Sequence, residues 1–383
     1  MVPPPEPSRD THTQGPRVLF VSKAITPPFH DGATCFVRDL SRALDRVHPT
    51  VLSTNNAPSI APTVASAPVY QKRSRYSPAL VDNLRVFQHL LRDTDHDIWH
   101  FVFAPNPVSS FAGNVLHRLR NRPIVQTVAS RPLRFDSTSR LLFGDRIIAL
   151  SKFTADRLLR NSNDARVTVI PPPMADLSRT TDEQRTAREQ AGIDQDAALI
   201  LYAGDLEFSS GASMMAAAAP TVLDKAPNTI IAFACRAKTP RSIEQQRTLA
   251  ERLKPFGSRV RFLGEVKDLP ALIASACAMP FPVDDLYGKI DHPYVILESA
   301  LLQVPVLVPN DGPIAEIHGI PTMPQGDVKC LAGWCVEMAQ DANARQQVGA
   351  ALRKAVLTQH NPSTIAAAVT AVYDDLLHSR MAS

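Results

Sequence analysis

The stretch Tyr287–Val308, YGKIDHPYVILESALLQVPVLV, decides how the rest of the chain is read. It opens polar around Gly288 and Lys289 and passes through Asp291, His292 and Pro293. It then becomes an apolar run carrying one carboxylate, Glu298, and stops at Pro305 before the β-branched Val306–Val308. The pattern reads loop, helix, turn, strand. Proline suits the first turn of a helix, where its missing N–H costs nothing, so Pro293 marks the helix start. Val295, Ile296, Leu297, Ala300, Leu301 and Leu302 make the helix apolar on most sides, which predicts burial. A lone carboxylate in a buried helix needs a partner, either a core arginine or the hydroxyls of a ligand. The helix start offers amide groups and the positive end of the helix dipole, a site for phosphate, and Lys289 adds a full charge close by. Phosphate at the loop and a sugar hydroxyl at Glu298 is the geometry of a nucleotide site.

Outward from this element, strands alternate with helical stretches. RVLFVS (Arg17–Ser22) reads as a buried strand, followed by a loop with Pro27, Pro28, His30, Asp31 and Gly32 and a helix from about Ala33 to Val47. That loop suits either a close backbone approach to a ligand or an ordinary turn. The strand PTVLST leads into a polar, Ser/Pro/Ala-rich excursion, Asn55 to Pro68, then a helix from Pro78 to Leu91. DIWHFVF (Asp97–Phe103) carries His100 near its carboxyl end, where ligands gather in such folds; it fits a ligand role or a core histidine. PIVQTV follows, then a loop with Ser130, Arg131 and Arg134, then RIIAL running into Ser151, the expected N-cap of helix 152–160. RVTVIPPP closes this half. After a helical linker, Thr181–Gly192, the pattern restarts with ALILYAG, TIIAFAC, VRFLG and AMPFPV as strands, and helices Val328–Leu357 and Pro362–Leu377 end the chain. Strands alternating with helices predict an α/β protein of two doubly wound, Rossmann-like parallel-sheet domains facing across a cleft. The boundaries fall at 16–180 and 181–360, with a disordered tail at 1–15 and a C-terminal helix, 361–383, returning to the first domain.

The length of 383 residues supports two cores rather than one. Hydrophobic content of 44% and a mean hydropathy near zero predict a globular chain. No run reaches the ~18 apolar residues that cross a bilayer, and the first fifteen residues lack the apolar core of a signal peptide, so the expected location is cytosolic. Five scattered cysteines, with no CxxC pair, read as buried thiols. Charge is uneven. Residues 1–180 hold 23 Lys and Arg against 14 Asp and Glu, hence +9, and the remainder holds 18 against 23, hence −5. The basic half fits an anionic partner, including peripheral contact at the inner face of a membrane, or simply scattered solvated arginines. The densest group is Arg118, Arg120, Arg122, Arg131 and Arg134, with Lys72, Arg73 and Arg75 a second. Neither has aromatic interleaving, so nucleic acid is not expected as a partner.

Four segments give the chain a resemblance to the retaining glycosyltransferases of family 4, with the GT-B fold. They are RVLFVSKAITPPFHDGATCFVRDLSRAL, DIWHFVF with PIVQTV, RIIALSKFTADRLL with VTVIPPPMAD, and VRFLGEVKDLPALIASACAMPFPV leading into VILESALLQVPVLVPNDGPIAEI. Glu298 occupies the second Glu of the family's E-x7-E motif, which the resemblance implies holds the nucleotide ribose. The first Glu falls at Ile290, and Asp291 is the nearest carboxylate for the sugar hydroxyl. The family's Arg and Lys after the first strand of the second domain fall at Asp205 and Ser209 or Ser210; Arg236, Lys238 and Lys289 are the replacements for these cations. The family's catalytic His aligns with Val102 rather than His100. The resemblance thus implies His100, Asp291, Arg236 and Lys238 as catalytic residues. Gly204, Gly288, Lys289, Tyr294, Glu298 and Ser299 would hold the donor, and His30, Gly32, Arg131 and Arg134 the acceptor. The implied partners are a nucleotide-sugar donor and a small-molecule or lipid-linked acceptor, with no metal and no cofactor; Asp284–Asp285 reads as a loop pair. A non-catalytic scaffold or partner subunit, or a nucleotide-sugar epimerase, are the alternatives on the same fold.

Overall fold

The computed structural model describes residues 15–29, 31–72, 78–135, 138–160 and 166–381. The N-terminal tail to residue 14, His30, and Arg73 and Arg75 of the second basic group lie outside the described residues.

In the first domain β1 (Arg17–Val21), α1 (Gly32–Ala43), β2 (His48–Thr54), β3 (Ala65–Tyr70), α2 (Leu80–Arg92), β4 (Ile98–Phe103), α3 (Pro107–Arg120), β5 (Ile124–Val128), α4 (Thr138–Leu141), β6 (Arg146–Ala149), α5 (Lys152–Leu159) and β7 (Val167–Val169) follow in order. The strands form one parallel sheet in the order β3-β2-β1-β4-β5-β6-β7. Strand order reverses between β1 and β4, and ligands of such sheets bind beyond the carboxyl ends at that point. The central strands are apolar on both faces because helices cover both. Leu19, Val21, Trp99 and Phe101 face one layer with Leu90 and Leu116, whereas Val18, Phe20, Ile98 and Val102 face the other. β3 lies inside the excursion that reads as irregular in the sequence. It is an edge strand, where Pro68 breaks no inner ladder and outward residues stay exposed, so its apolar pattern is faint.

The second domain runs α6 (Thr181–Gln190), β8 (Ala198–Tyr202), α7 (Gly211–Lys225), β9 (Thr229–Phe233), α8 (Pro240–Leu253), β10 (Val260–Phe262), α9 (Leu269–Ala274), β11 (Met279–Pro280), α10 (Tyr294–Leu301), β12 (Val306–Pro309), β13 (Thr322–Met323), α11 (Val328–Gln340) and α12 (Ala342–Gln359). The strands β10-β9-β8 and β11-β12-β13 are parallel, and a bridge between Ile200 and Ala278 joins the two sets. The order therefore reverses between β8 and β11, which places the loops 203–210 and 281–293 at the second switch point. Pro293 is the N-cap of α10 rather than a residue of its first turn, and a 3-10 turn, Pro313–Glu316, follows β12.

The last helix, α13 (Pro362–Met381), lies against α1 of the first domain. The Tyr373 hydroxyl meets His100 Nδ1 at 2.6 Å, and Arg146 pairs with Asp375 at 2.7 Å. Two further ties join the domains near α5. Glu316 accepts from the amides of Lys152 and Phe153 at 2.8 and 2.5 Å, and the Ser151 hydroxyl donates to Asp291 at 2.6 Å.

Candidate active site

Loops at the two switch points meet across a crevice. From the first domain come Lys23, just past β1, and Asp31–Gly32 at the start of α1. Asp31 caps that helix by accepting from the Thr34 amide at 3.0 Å, and Lys23 lies 3.6 Å from its carboxylate. Gly32 touches the second domain. A Cβ there would sit 2.5 Å from Ile290 Cγ2, so no larger residue fits without moving the wall that Ile290 makes. Ile290 stands where the resemblance expected a carboxylate, and its apolar chain serves as this interdomain contact.

From the second domain come Arg236 and Lys238, after β9, and Lys289, before α10. Burial first, then Arg236, pushes the Lys238 ammonium down to about 8; Lys289 and Lys23 add to this and Asp31 opposes it. Four cations from three segments therefore act on one another in one crevice. Lys289 is held 2.8 Å from Asp205. Asp205 also accepts from the amides of Glu207, Phe208 and Ser209, which fixes the loop after β8. Burial raises the Asp205 carboxyl, but Lys289 outweighs it and the net shift is downward. Gly288 turns the loop at φ 73°, a backbone that side chains rarely adopt. Gly204 lies under the Tyr202 ring.

Glu298 stands in α10, half-buried, and no hydrogen bond or ion pair reaches its carboxylate among the described residues. Burial pushes its carboxyl up to about 7, against the pull of Arg38. Arg38 itself is committed to Asp39, which it grips with two bonds of 2.6 and 2.8 Å. Glu298 is therefore not locked onto an internal arginine. The α10 amides of Tyr294 and Val295 precede the first intrahelical bond and are left over by helix geometry.

Several residues from the sequence reading have other employment. His100 is fully buried in mid-strand, with Nδ1 at 2.6 Å from Tyr373 Oη and Nε2 at 2.6 Å from Thr127 Oγ1. Burial holds its imidazole down to about 3, so it is a neutral core histidine and not a catalytic one. Asp291 is 2% exposed and bonded to Ser151 of the first domain; it faces the interdomain seam, not a sugar. Burial pushes its carboxyl up to about 6. Ser299 is buried and donates to the Val304 carbonyl at 3.3 Å, closing the helix end rather than binding donor. Tyr294 is likewise buried, its hydroxyl donating to the Pro173 carbonyl. Arg131 grips Asp285 across the crevice at 2.6 and 2.7 Å and lies over the Tyr287 ring, so the expected acceptor residue is a cross-domain tie. Arg134 is exposed nearby. Asp284 accepts from the Ser210 amide and hydroxyl, capping α7. Among the described residues no cluster of three metal-ligating side chains occurs.

Lys23 and the Arg38–Asp39 pair are absent from the sequence reading. Lys23 follows the first strand at its carboxyl end, a position whose ligand significance a single cation does not announce. Asp39 is buried beside Phe36, Val37 and Leu40 of α1 with Arg38 next to it, and that adjacency of charges in an amphipathic helix is the signal that was there to find.

The family model described as "Glycosyltransferase Family 4" matches residues 30–175, and that described as "Glycosyl transferases group 1" matches residues 197–341. Among curated protein sequences none matches. Solved structures align along nearly the whole length. HepE of Anabaena in complex with UDP-glucose is 14% identical with a TM-score of 0.71, covering 94% of this chain and 100% of that one. Sucrose-phosphate synthase of Thermosynechococcus elongatus is 18% identical with a TM-score of 0.75, covering 96% and 100%. WaaG, a glycosyltransferase involved in lipopolysaccharide biosynthesis, is 15% identical with a TM-score of 0.65, covering 92% and 98%. With one family model seated on each domain and this two-sheet architecture shared from end to end, the chain belongs to glycosyltransferase family 4 and has the GT-B fold.

Proposed function

We propose that this glycosyltransferase moves a sugar from a nucleotide-diphosphate sugar to an acceptor hydroxyl with retention at the anomeric carbon and without a metal. The observation that carries the reading is the convergence of Lys23, Arg236, Lys238 and Lys289 before α10, the helix that bears Glu298, a carboxylate with no bond among the described residues. The UDP-glucose held by the HepE neighbour supports the choice of donor class. Glu298 accepts from ribose hydroxyls. The α10 amides and the four cations face the diphosphate and stabilise the charge that grows on it as the glycosidic C–O bond breaks, an electrostatic contribution that is usually the largest in catalysis. The acceptor oxygen bonds to the anomeric carbon from the face the leaving group departs. Its proton passes to an oxygen of that departing phosphate, so no protein nucleophile takes part. The acceptor lies on the first domain, beyond Gly32 and near Arg134.

A thermal-shift screen with UDP, GDP, ADP and TDP tests the donor site: one nucleotide should raise the melting temperature, and Arg236→Ala or Lys238→Ala should weaken that shift. No response to any of the four would remove the reading. Transfer in excess EDTA should proceed at full rate, and a requirement for added divalent ion would overturn the metal-free mechanism.

A further inference from the structure

The amino end of α5 is completed by the other domain. The first amides of a helix have no partner inside it, so a capping side chain or an acidic first turn ordinarily serves them. α5 has no acidic residue in its first turn, and Lys152 brings a cation instead, the wrong sign for the positive end of a helix. Ser151 supplies one oxygen, to the Thr154 amide at 3.0 Å. The Lys152 and Phe153 amides go to Glu316, which belongs to the 3-10 turn after β12 of the second domain.

The same place holds the loop before α10, at two successive residues. The Ser151 hydroxyl, while it accepts from Thr154, donates to the Asp291 carboxylate at 2.6 Å. His292 Nε2 donates to the Pro313 carbonyl at 3.0 Å, in the turn that carries Glu316. Ser151, Asp291 and His292 are each 2% exposed or less, so no water stands in for these bonds. Bonds to a carboxylate are charge-assisted and stronger than neutral ones. Their partners lie 140 and 164 positions apart, and only the facing of the two domains makes them. Asp291 is two residues past Lys289 and three before Tyr294, the first residue of α10. The segment that carries a crevice cation at one end and the α10 amides at the other is therefore pinned in its middle.

We infer that the amino end of α5 is the seat that positions the donor loop, with Ser151 holding Asp291 and Glu316 holding the turn on which His292 rests. Ser151 and Glu316 are positioning residues: they fix where Lys289 and the α10 amides stand and act through the loop. What the loop binds rests on the function proposed above; that α5 holds it does not.

The test pairs amide exchange with nucleotide affinity in the full chain, using Ser151→Ala, Ser151→Thr and Glu316→Gln. Exchange across 286–296 should accelerate at least tenfold in Ser151→Ala and Glu316→Gln. Ser151→Thr should exchange as the wild type does, since its hydroxyl still caps the helix and donates. Ser151→Ala also removes a helix cap, so the amides of β4 serve as the control for a general loss of stability and should be unchanged. Glu316→Gln keeps that cap and carries the test if Ser151→Ala does not fold. Whichever of UDP, GDP, ADP and TDP raises the wild-type melting temperature should bind Ser151→Ala at least fivefold more weakly by calorimetry, and Ser151→Thr as tightly as the wild type. Wild-type exchange at 286–296 in Ser151→Ala and Glu316→Gln, or undiminished nucleotide affinity in both, would overturn the inference. So would equal acceleration in β4, because α5 would then be a joint that supports the whole molecule and not the loop. If none of the four nucleotides shifts the wild type, the donor reading falls, and the exchange measurement alone decides whether α5 holds the loop.

Discussion

Glu298 carries a cost that no hydrogen bond or ion pair among the described residues relieves. A carboxyl ordinarily titrating near 4.5 is pushed up to about 7 by burial, so the folded state holds the proton more tightly than the unfolded one. Its contribution to stability is therefore undiminished below pH 4.5, falls as pH rises through the window from 4.5 to 7, and stays lost above it. The loss is at most about 3 kcal/mol at neutral pH, where 1.36 kcal/mol corresponds to each unit. Glu298→Gln should consequently melt higher than the wild type at pH 8, with the gap closing as the pH drops to 4.5. Donor KM should rise at least tenfold in the same variant. A lower melting temperature at pH 8 would mean that the carboxylate has a stabilising internal partner. His100 behaves oppositely. His100→Ala leaves Tyr373 Oη and Thr127 Oγ1 facing a void, and unsatisfied buried groups together with a cavity put the expected loss at roughly 2–4 kcal/mol in a denaturant melt. The sequence placed both residues on the right elements and misjudged His100 because strand parity decides which layer a side chain enters. His100 shares the parity of Phe20 and Val102 and points toward α13, a helix 273 positions away that no local pattern could bring near.

At the scale of elements, the loops after β8 and β11 and the helix α10 were legible as a group. The helix itself was marked by its apolar run, and alternation puts the loops at the carboxyl ends of their strands; that they flank a switch point comes from the strand order, which alternation does not give. What stayed hidden is which ionic partners those loops choose. Asp205 reads in the sequence as a lost cation; in the fold it anchors three backbone amides and Lys289, one of the cations that remain. Arg131 and Asp285 lie 154 positions apart, and only the facing of two domains pairs them. Both are about a quarter to a third exposed, so the pair contributes on the order of 1 kcal/mol to stability. Its larger effect should be on opening. Arg131→Ala should leave the melting temperature nearly unchanged while amide exchange accelerates in segments 205–211 and 284–290. Unchanged exchange there would show that the tie does not hold the crevice.

For the molecule as a whole, three buried histidines set the acid limit. Burial holds His100 and His292 down to about 3 and His360 down to about 4, well below the ordinary 6.5. Their stability is present above pH 6.5 and is lost as pH falls toward the folded values, because the unfolded chain takes up the protons first. Between pH 7 and 5 Glu298 and Asp291 slope the other way and offset part of this. The carboxyls stop distinguishing the folded from the unfolded chain only below about pH 4, where the folded histidines begin to take up protons themselves, so the net slope stays on the order of 1–2 kcal/mol per pH unit from 6 to 4. Stability measured by denaturant melts should thus decline steadily from pH 6 to 4. A loss of about 4 kcal/mol per unit between pH 6 and 5, the slope of three uncompensated histidines, would contradict the balance. Two tandem parallel-sheet domains were readable from alternation and length, whereas the edge strand β3 was not, since an edge needs no continuous apolar run.

The return of α13 to the first sheet has a consequence for biosynthesis. Tyr373, the partner of His100, follows it by 273 positions. While the chain grows from the ribosome, the first domain exposes the patch that α13 will cover and cannot close it until α13 has been made. Nascent first domains therefore present an incomplete surface while the whole second domain is synthesised, and expressing residues 16–180 alone should give aggregated material, recoverable by supplying the α13 peptide in trans.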